Sequence, residues 1–194
     1  DPLLRFDTLT ARGGWKRQGE KAVDLEIAEA ALSNADVTAN LYGRYRWPGK
    51  GPGVADLSGR LLRATGPRVE RYLPLAINED TRAWLRQGIL SGEAHDAVFQ
   101  LKGDLARFPF RQAREGIFRI QARVSGAQIH YAPDYPPINQ VNGELIFDGV
   151  RMEIRSDQAS IYGAKLNKVR AVIPDLEAHE ELLEVTGEAS GPAQ

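Results

Sequence analysis

The sequence predicts a mostly β protein: an elongated antiparallel sheet with one apolar side forming an open groove, and a short helical insertion at about residues 66–88. Three observations carry that expectation. Apolar and polar side chains alternate strictly along many short stretches, the period of a strand with one face on apolar neighbours and one in water. Continuous runs of Val, Ile and Leu, which mark strands buried on both faces, are missing. Finally, an apolar residue, any residue, a glycine, any residue and a second apolar residue follow one another in Leu41–Tyr45, Leu57–Leu61, Leu101–Leu105, Val141–Leu145 and Val185–Ala189.

On a strand, the glycine and both apolar ends of that motif share a face, so each copy leaves a notch in an apolar surface. Notches on neighbouring strands would line up as a trough. The same glycines equally suit a β-bulge, or leave room for a large side chain from a facing layer.

The elements follow in order. Val23, Leu25 and Ile27 alternate with Asp24 and Glu26. Val37, Ala39, Leu41, Gly43, Tyr45 and Trp47 alternate with Thr38, Asn40, Tyr42, Arg44 and Arg46. Phe118 to Val124, Val150 to Ile154 and Val169 to Ile173 repeat the pattern. Asn34-Ala35-Asp36, Gly49 through Gly53, Ser125-Gly126 and Asp148-Gly149 read as breaks, giving roughly ten to twelve strands. Gly66-Pro67 opens a helical turn through Val69, Tyr72 and Leu73, with Pro67 suited to the first helical position. Asn78 is expected to cap a second helix, with Glu79 and Asp80 in its first turn and Gly88 closing it. Thr81, Trp84, Leu85 and Ile89 make its apolar stripe, so Trp84 packs on the sheet. The expected organisation is a first β segment over 1–65, the insertion over 66–88 and a second β segment over 89–190, all parts of one β domain.

Glycine intervals suggest a duplication. Gly43 to Gly126 is 83 residues, and Gly59 to Gly143 and Gly103 to Gly187 are each 84. Stacked copies of one unit would make an extended body rather than a ball.

Composition narrows the function. A net charge of −1 from 25 basic and 26 acidic residues offers no basic excess for nucleic acid. No cysteine is present, which removes disulfides and thiolate metal sites. His95, His130 and His179 lack ligand-like spacing, so no metal and no cofactor is expected. No Gly-x-Ser-x-Gly elbow occurs, Gly49–Gly53 lacks the end of a phosphate loop, and the acidic pairs Glu79-Asp80 and Glu180-Glu181 read as solvated. No catalytic residue is predicted. Tyr131, Tyr135 and prolines 133, 136 and 137 form a stiff loop or a partner surface. The first residues, Asp1-Pro2, and the single methionine, Met152, suggest a piece of something longer.

Parity selects the candidate binding face: Leu25, Ile27, Leu41, Tyr45, Leu57, Leu61, Phe99, Leu101, Phe118, Ile120, Leu145, Phe147, Met152 and Ile154. Arg44, Arg60, Arg119, Arg123, Arg151 and Glu153 are expected to point away. The residues alone leave three readings open. An open face suits acyl chains, an exposed edge suits strand addition by a partner protein, and two closed faces suit a carbohydrate-binding sandwich.

Several stretches, taken in order, carry a resemblance. They are Leu32–Asp36, Gly51–Leu61, Arg71–Leu75, Thr81–Leu85, Leu101–Leu105, Phe108-Pro109-Phe110, Val124–Tyr131 and Asn142–Ile154. Together they resemble the middle region of the YhdP proteins of Gram-negative bacteria, AsmA-like relatives of TamB. The resemblance implies a long, twisted β-sheet with a hydrophobic groove, in an envelope protein held in the inner membrane and reaching across the periplasm. It further implies phospholipid acyl chains as ligand, envelope proteins as possible partners, and no catalytic residues to carry over.

Overall fold

In the computed structural model the described residues are 4–72, 79–131, 134–178 and 182–191. Leu73, Asn78, Pro133, His179 and Glu180-Glu181 fall outside them, as do the side chains of Asp80 and Thr81.

Ten strands form one sheet in strict chain order: β1 (Thr8–Gln18), β2 (Ala22–Ser33), β3 (Val37–Trp47), β4 (Val54–Thr65), β5 (Ile89–Asp104), β6 (Gly116–Ile129), β7 (Ile138–Asp148), β8 (Arg151–Ile161), β9 (Ala164–Ile173) and β10 (Glu184–Ser190). Every neighbouring pair is antiparallel. With strands about 4.8 Å apart, the meander extends about 43 Å from β1 to β10. Among the described residues no second sheet packs on the first, which excludes the sandwich.

The insertion between β4 and β5 holds a 3-10 helix, Gly66–Tyr72, and one α-helix, α1 (Glu79–Gly88). The expected stripe ends at Gly88, because Ile89 is already the first residue of β5; Leu85 is buried and Trp84 half-buried. The 3-10 helix is tied to the β2–β3 turn at one end of the sheet. Asn34 closes that turn by accepting from the backbone N–H groups of Asp36 and Val37. Arg71 then pairs with Asp36 at 3.0 Å, and the Tyr72 hydroxyl donates to the same carboxylate at 3.2 Å.

Bulges run through almost every strand. The register slips between Ile27 and Ala30 in β2, a bulge felt on both sides of that strand, and between His95 and Val98 in β5. It slips again after Val124 in β6 and between Asn139 and Asn142 in β7. Asp96, Gln140 and Lys168 take positive φ at or beside such steps. A bulge adds an unpaired residue, bends its strand and increases the right-handed twist. It also replaces an i, i+2 step by i, i+3 on the same face, as from Ala94 to Ala97 or Val124 to Ala127. Ser125-Gly126, expected as a break, is such a bulge inside β6.

The proposed duplication does not survive the topology. Gly43 and Gly126 lie three strands apart, as do Gly59 and Gly143, whereas Gly103 in β5 and Gly187 in β10 lie five apart.

Candidate functional site

Residues directly opposite one another in an antiparallel ladder share a face, so the register can be followed across the sheet. One row runs Trp15, Leu25, Tyr45, Ala55, Gly103, Gly116. The next runs Gly13, Ile27, Gly43, Leu57, Leu101, Phe118. A third, continuous over nine strands, runs Ala11, Ala30, Leu41, Gly59, Phe99, Ile120, Phe147, Met152, Ile173. Leu145 and Ile154 continue beside it through Ala171 to Val185. Leu61 faces Ala39 and Ala97. All fourteen parity-selected residues therefore stand on one face. Leu101, Phe118 and Met152 are buried there, Leu25 is exposed, and the other ten are half-buried.

The opposite face is a lattice of charges. Arg46 pairs with Asp24 at 3.4 Å, Arg44 with Glu26 at 3.3 Å and Lys102 with Asp56 at 3.0 Å. These pairs are exposed and add little stability, but they keep that side wet. A depression of about 540 Å³ is lined by Lys16, Asp24, Arg44, Arg46 and Asp56 of this side and by Trp15, Leu25, Tyr45 and Ala55 of the other. It is an open dish in which charged pairs meet the end of the apolar row of Trp15, Leu25, Tyr45 and Ala55.

Glu153 departs from the solvated pattern. It points away from the apolar face, as parity requires, yet it is only 2% exposed. Arg151, Arg155 and Arg170 converge on its carboxylate at 2.6, 2.7 and 2.8 Å. Hydrogen bonding from Arg155 above all, then from Arg170 and Arg151, outweighs burial and pulls its pKa from 4.5 down to about 2.

The notch reading needs correction. At Gly43 and Gly143 the place of a side chain is taken by the neighbouring strand, whose Asp56 and Arg155 carbonyl oxygens lie where a Cβ would stand. Gly43 also has φ +136°, open to glycine and strained for any other residue. At Gly103 and Gly116, paired across β5 and β6, the space is filled: a Cβ at either would lie 3.0 or 2.8 Å from the Phe110 ring. So the glycines serve close backbone approach and one aromatic seat, not a row of open notches.

Phe110 belongs to residues 105–115, the β5–β6 connection, which lies over the apolar face as a strap. Leu105, Phe108 and Phe110 pack with Ala55, Leu57, Leu101, Phe118 and their neighbours. Phe108 meets Phe118 edge-on with ring centroids 4.9 Å apart. Alternation could not reveal this contact, since no strand pattern covers the strap. The only signal is two phenylalanines flanking Pro109 between two strands.

Among the described residues, no group of three His, Asp or Glu side chains is placed to hold a metal ion. No described helix is long and apolar enough to cross a membrane.

Comparison with known proteins gives a consistent picture. The model of the YhdP protein family matches residues 1–194. The chain is 27% identical over 132 residues to the intermembrane phospholipid transporter YhdP of Escherichia coli (strain K12), a match covering 66% of this chain and 10% of that protein. The chain thus spans about a tenth of the curated relative it matches. No solved structure matches. With the family model aligned to its whole length, the chain belongs to the YhdP family.

Proposed function

We propose that this chain is a segment of a lipid conduit, in which the apolar face of the sheet holds phospholipid acyl chains while the charged face meets water. The observation that carries the reading is the unbroken run of apolar rows across the sheet with, among the described residues, no second sheet over them. The relative's description as an intermembrane phospholipid transporter supports the same ligand class. On this reading residues 1–65, 66–88 and 89–190 are parts of one continuous β domain of a longer protein. That protein would stand in the periplasm, attached to the inner membrane, and would carry lipid without catalysing a reaction.

The physics favours such a surface. Each methylene left in water costs about 0.8 kcal/mol, so a sixteen-carbon chain costs about 12 kcal/mol and a two-chain lipid about twice that. A carrier must shield that length continuously. Rows of Leu, Ile, Phe and Val at strand spacing supply cover at regular intervals with no strong anchor, which suits sliding over tight capture.

The test is a photocrosslinker at Leu57, Leu145 or Ile154, compared with one at Arg60 or Arg151, in the intact protein in cells. Lipid adducts are expected at the first set and not at the second. Equal lipid labelling of both faces would defeat the reading. A second reading, a scaffold that recruits an envelope protein by strand addition, draws on the exposure of β1 and β10 along their whole lengths. It requires protein adducts at both sets.

A further inference from the structure

Resting on the acyl-chain reading, we propose that the strap over residues 105–115 is a displaceable occupant of a discrete acyl site. Its Leu105, Phe108 and Phe110 side chains hold the place that a straight lipid tail takes when the strap lifts.

The floor beneath the strap fits that ligand. Ala55, Leu57, Leu101 and Phe118 are apolar, and the residues packed around them are apolar or aromatic. Without Phe110, the paired glycines Gly103 and Gly116 would form a flat shelf beside Leu101 and Phe118, wide enough for a methylene chain and free of charge. Phe110 is 4% exposed in its seat, so the site is closed while the strap is down.

How the strap is held decides whether it can move. Among the described residues its backbone hydrogen bonds are internal turns, from Phe108 to Leu105, Phe110 to Arg107 and Glu115 to Gln112, apart from Leu105 N–H donating to the Gly53 carbonyl at 2.9 Å. No β-ladder fixes it. Its far side is clasped by Arg111, which pairs with Asp175 and, at 3.1 Å, with Glu177 in the β9–β10 connection. Arg111 is half exposed and its partners Asp175 and Glu177 about a third, so water screens the clasp. Replacing aromatic side chains by an acyl chain exchanges one apolar cover for another and breaks no ladder bonds. Strap and tail therefore compete on nearly equal terms, and the apparent affinity for a tail is reduced by the fraction of time the strap is down.

The experiment uses the intact chain and dansyl-undecanoic acid, a single-tailed probe whose emission rises in an apolar site. Hydrogen exchange of residues 105–115 is followed with and without the probe, and probe affinity is compared between the parent chain and Arg111→Ala. Bound probe is expected to speed exchange of the strap amides by about fivefold or more, and Arg111→Ala to bind about threefold to tenfold tighter, because the competing closed state is weakened. Arg111 lies outside the proposed site, so this variant leaves the apolar floor intact. Probe that binds while the strap exchanges unchanged or more slowly overturns the proposal and makes residues 105–115 a fixed wall, with the acyl-chain reading still standing. Equal affinity of the two chains overturns it too. Probe that binds neither chain overturns the acyl-chain reading itself.

Discussion

Glu153 illustrates how much a single side chain can depend on register. Alternation within β8 assigns it to the charged face, and there it stands. Its burial comes from β9: because Arg155 lies opposite Arg170, a third guanidinium reaches the carboxylate that Arg151 and Arg155 already bind. Strand parity is written in the sequence; the pairing of β8 with β9, and hence the cluster, is not. Removing the carboxylate would leave three arginines crowded without their common partner. The three arginines over Glu153 are themselves 37–57% exposed, so the cost belongs below that of a deep ion pair. Glu153→Ala is expected to lose about 1–3 kcal/mol, read from the urea midpoint at pH 7. The pH dependence has a definite sign. A carboxylate whose pKa is lowered by folding stabilises fully above its unfolded value of 4.5 and loses that stabilisation as pH falls through about 2. The difference in stability between parent and variant should therefore shrink between pH 4.5 and pH 2; a constant difference would mean that packing, not charge, explains it.

At the scale of strands, one sequence motif proves to have several structural meanings. Gly143 is required because the Arg155 carbonyl of β8 fills its side-chain position, while at Gly187 a Cβ would meet Val169 only at 3.4 Å, an ordinary contact. Gly143→Ala is expected to destabilise by about 1–3 kcal/mol through overpacking, and Gly187→Ala to stay within about 0.5 kcal/mol of the parent. Thermal melts of both variants check this; equal losses would return the motif to a single role. The contrast also explains what was legible. Alternation found the middles of β2, β3, β6, β8 and β9, because there each step of two stays on one face. It lost the strands at the bulges, where a step of three keeps an apolar residue on the same side and Gly126 reads as a turn. The first strand escaped for another reason: it alternates without a bulge, but Ala11 and Gly13 give its inward face too little apolar side chain to stand out. The helical insertion was readable because Pro67 and Gly88 punctuate it locally. The strap was not, because its fold depends on a seat that Gly103 and Gly116 create only once β5 and β6 pair.

The whole molecule is a sheet with two open edges. Among the described residues β1 pairs only with β2 and β10 only with β9, and both are exposed from end to end. The apolar rows run off these edges, leaving Trp15 70% exposed on one and Val185 55% on the other. Nine antiparallel pairings separate the two, so β10 runs opposite to β1. A second copy could therefore add its β1 to β10 in the same antiparallel sense, with its apolar face on the same side. Such a contact is head-to-tail and does not close on itself, so it extends with concentration instead of stopping at a dimer. In a longer protein the flanking chain could occupy the same edges, consistent with a relative of which this chain matches 10%. The isolated chain is thus expected to gain mass with concentration when followed by light scattering after size exclusion. A lysine facing the apolar side on each edge strand, Ala11→Lys with Val185→Lys, should keep it monomeric, because pairing would bury both charges. Since both positions lie at the rim, the cost to folding should stay near about 0.5 kcal/mol. A parent chain that remains monomeric at every concentration would show that its edges are already satisfied. Association that survives both lysines would move the contact away from the edges, onto the apolar face itself.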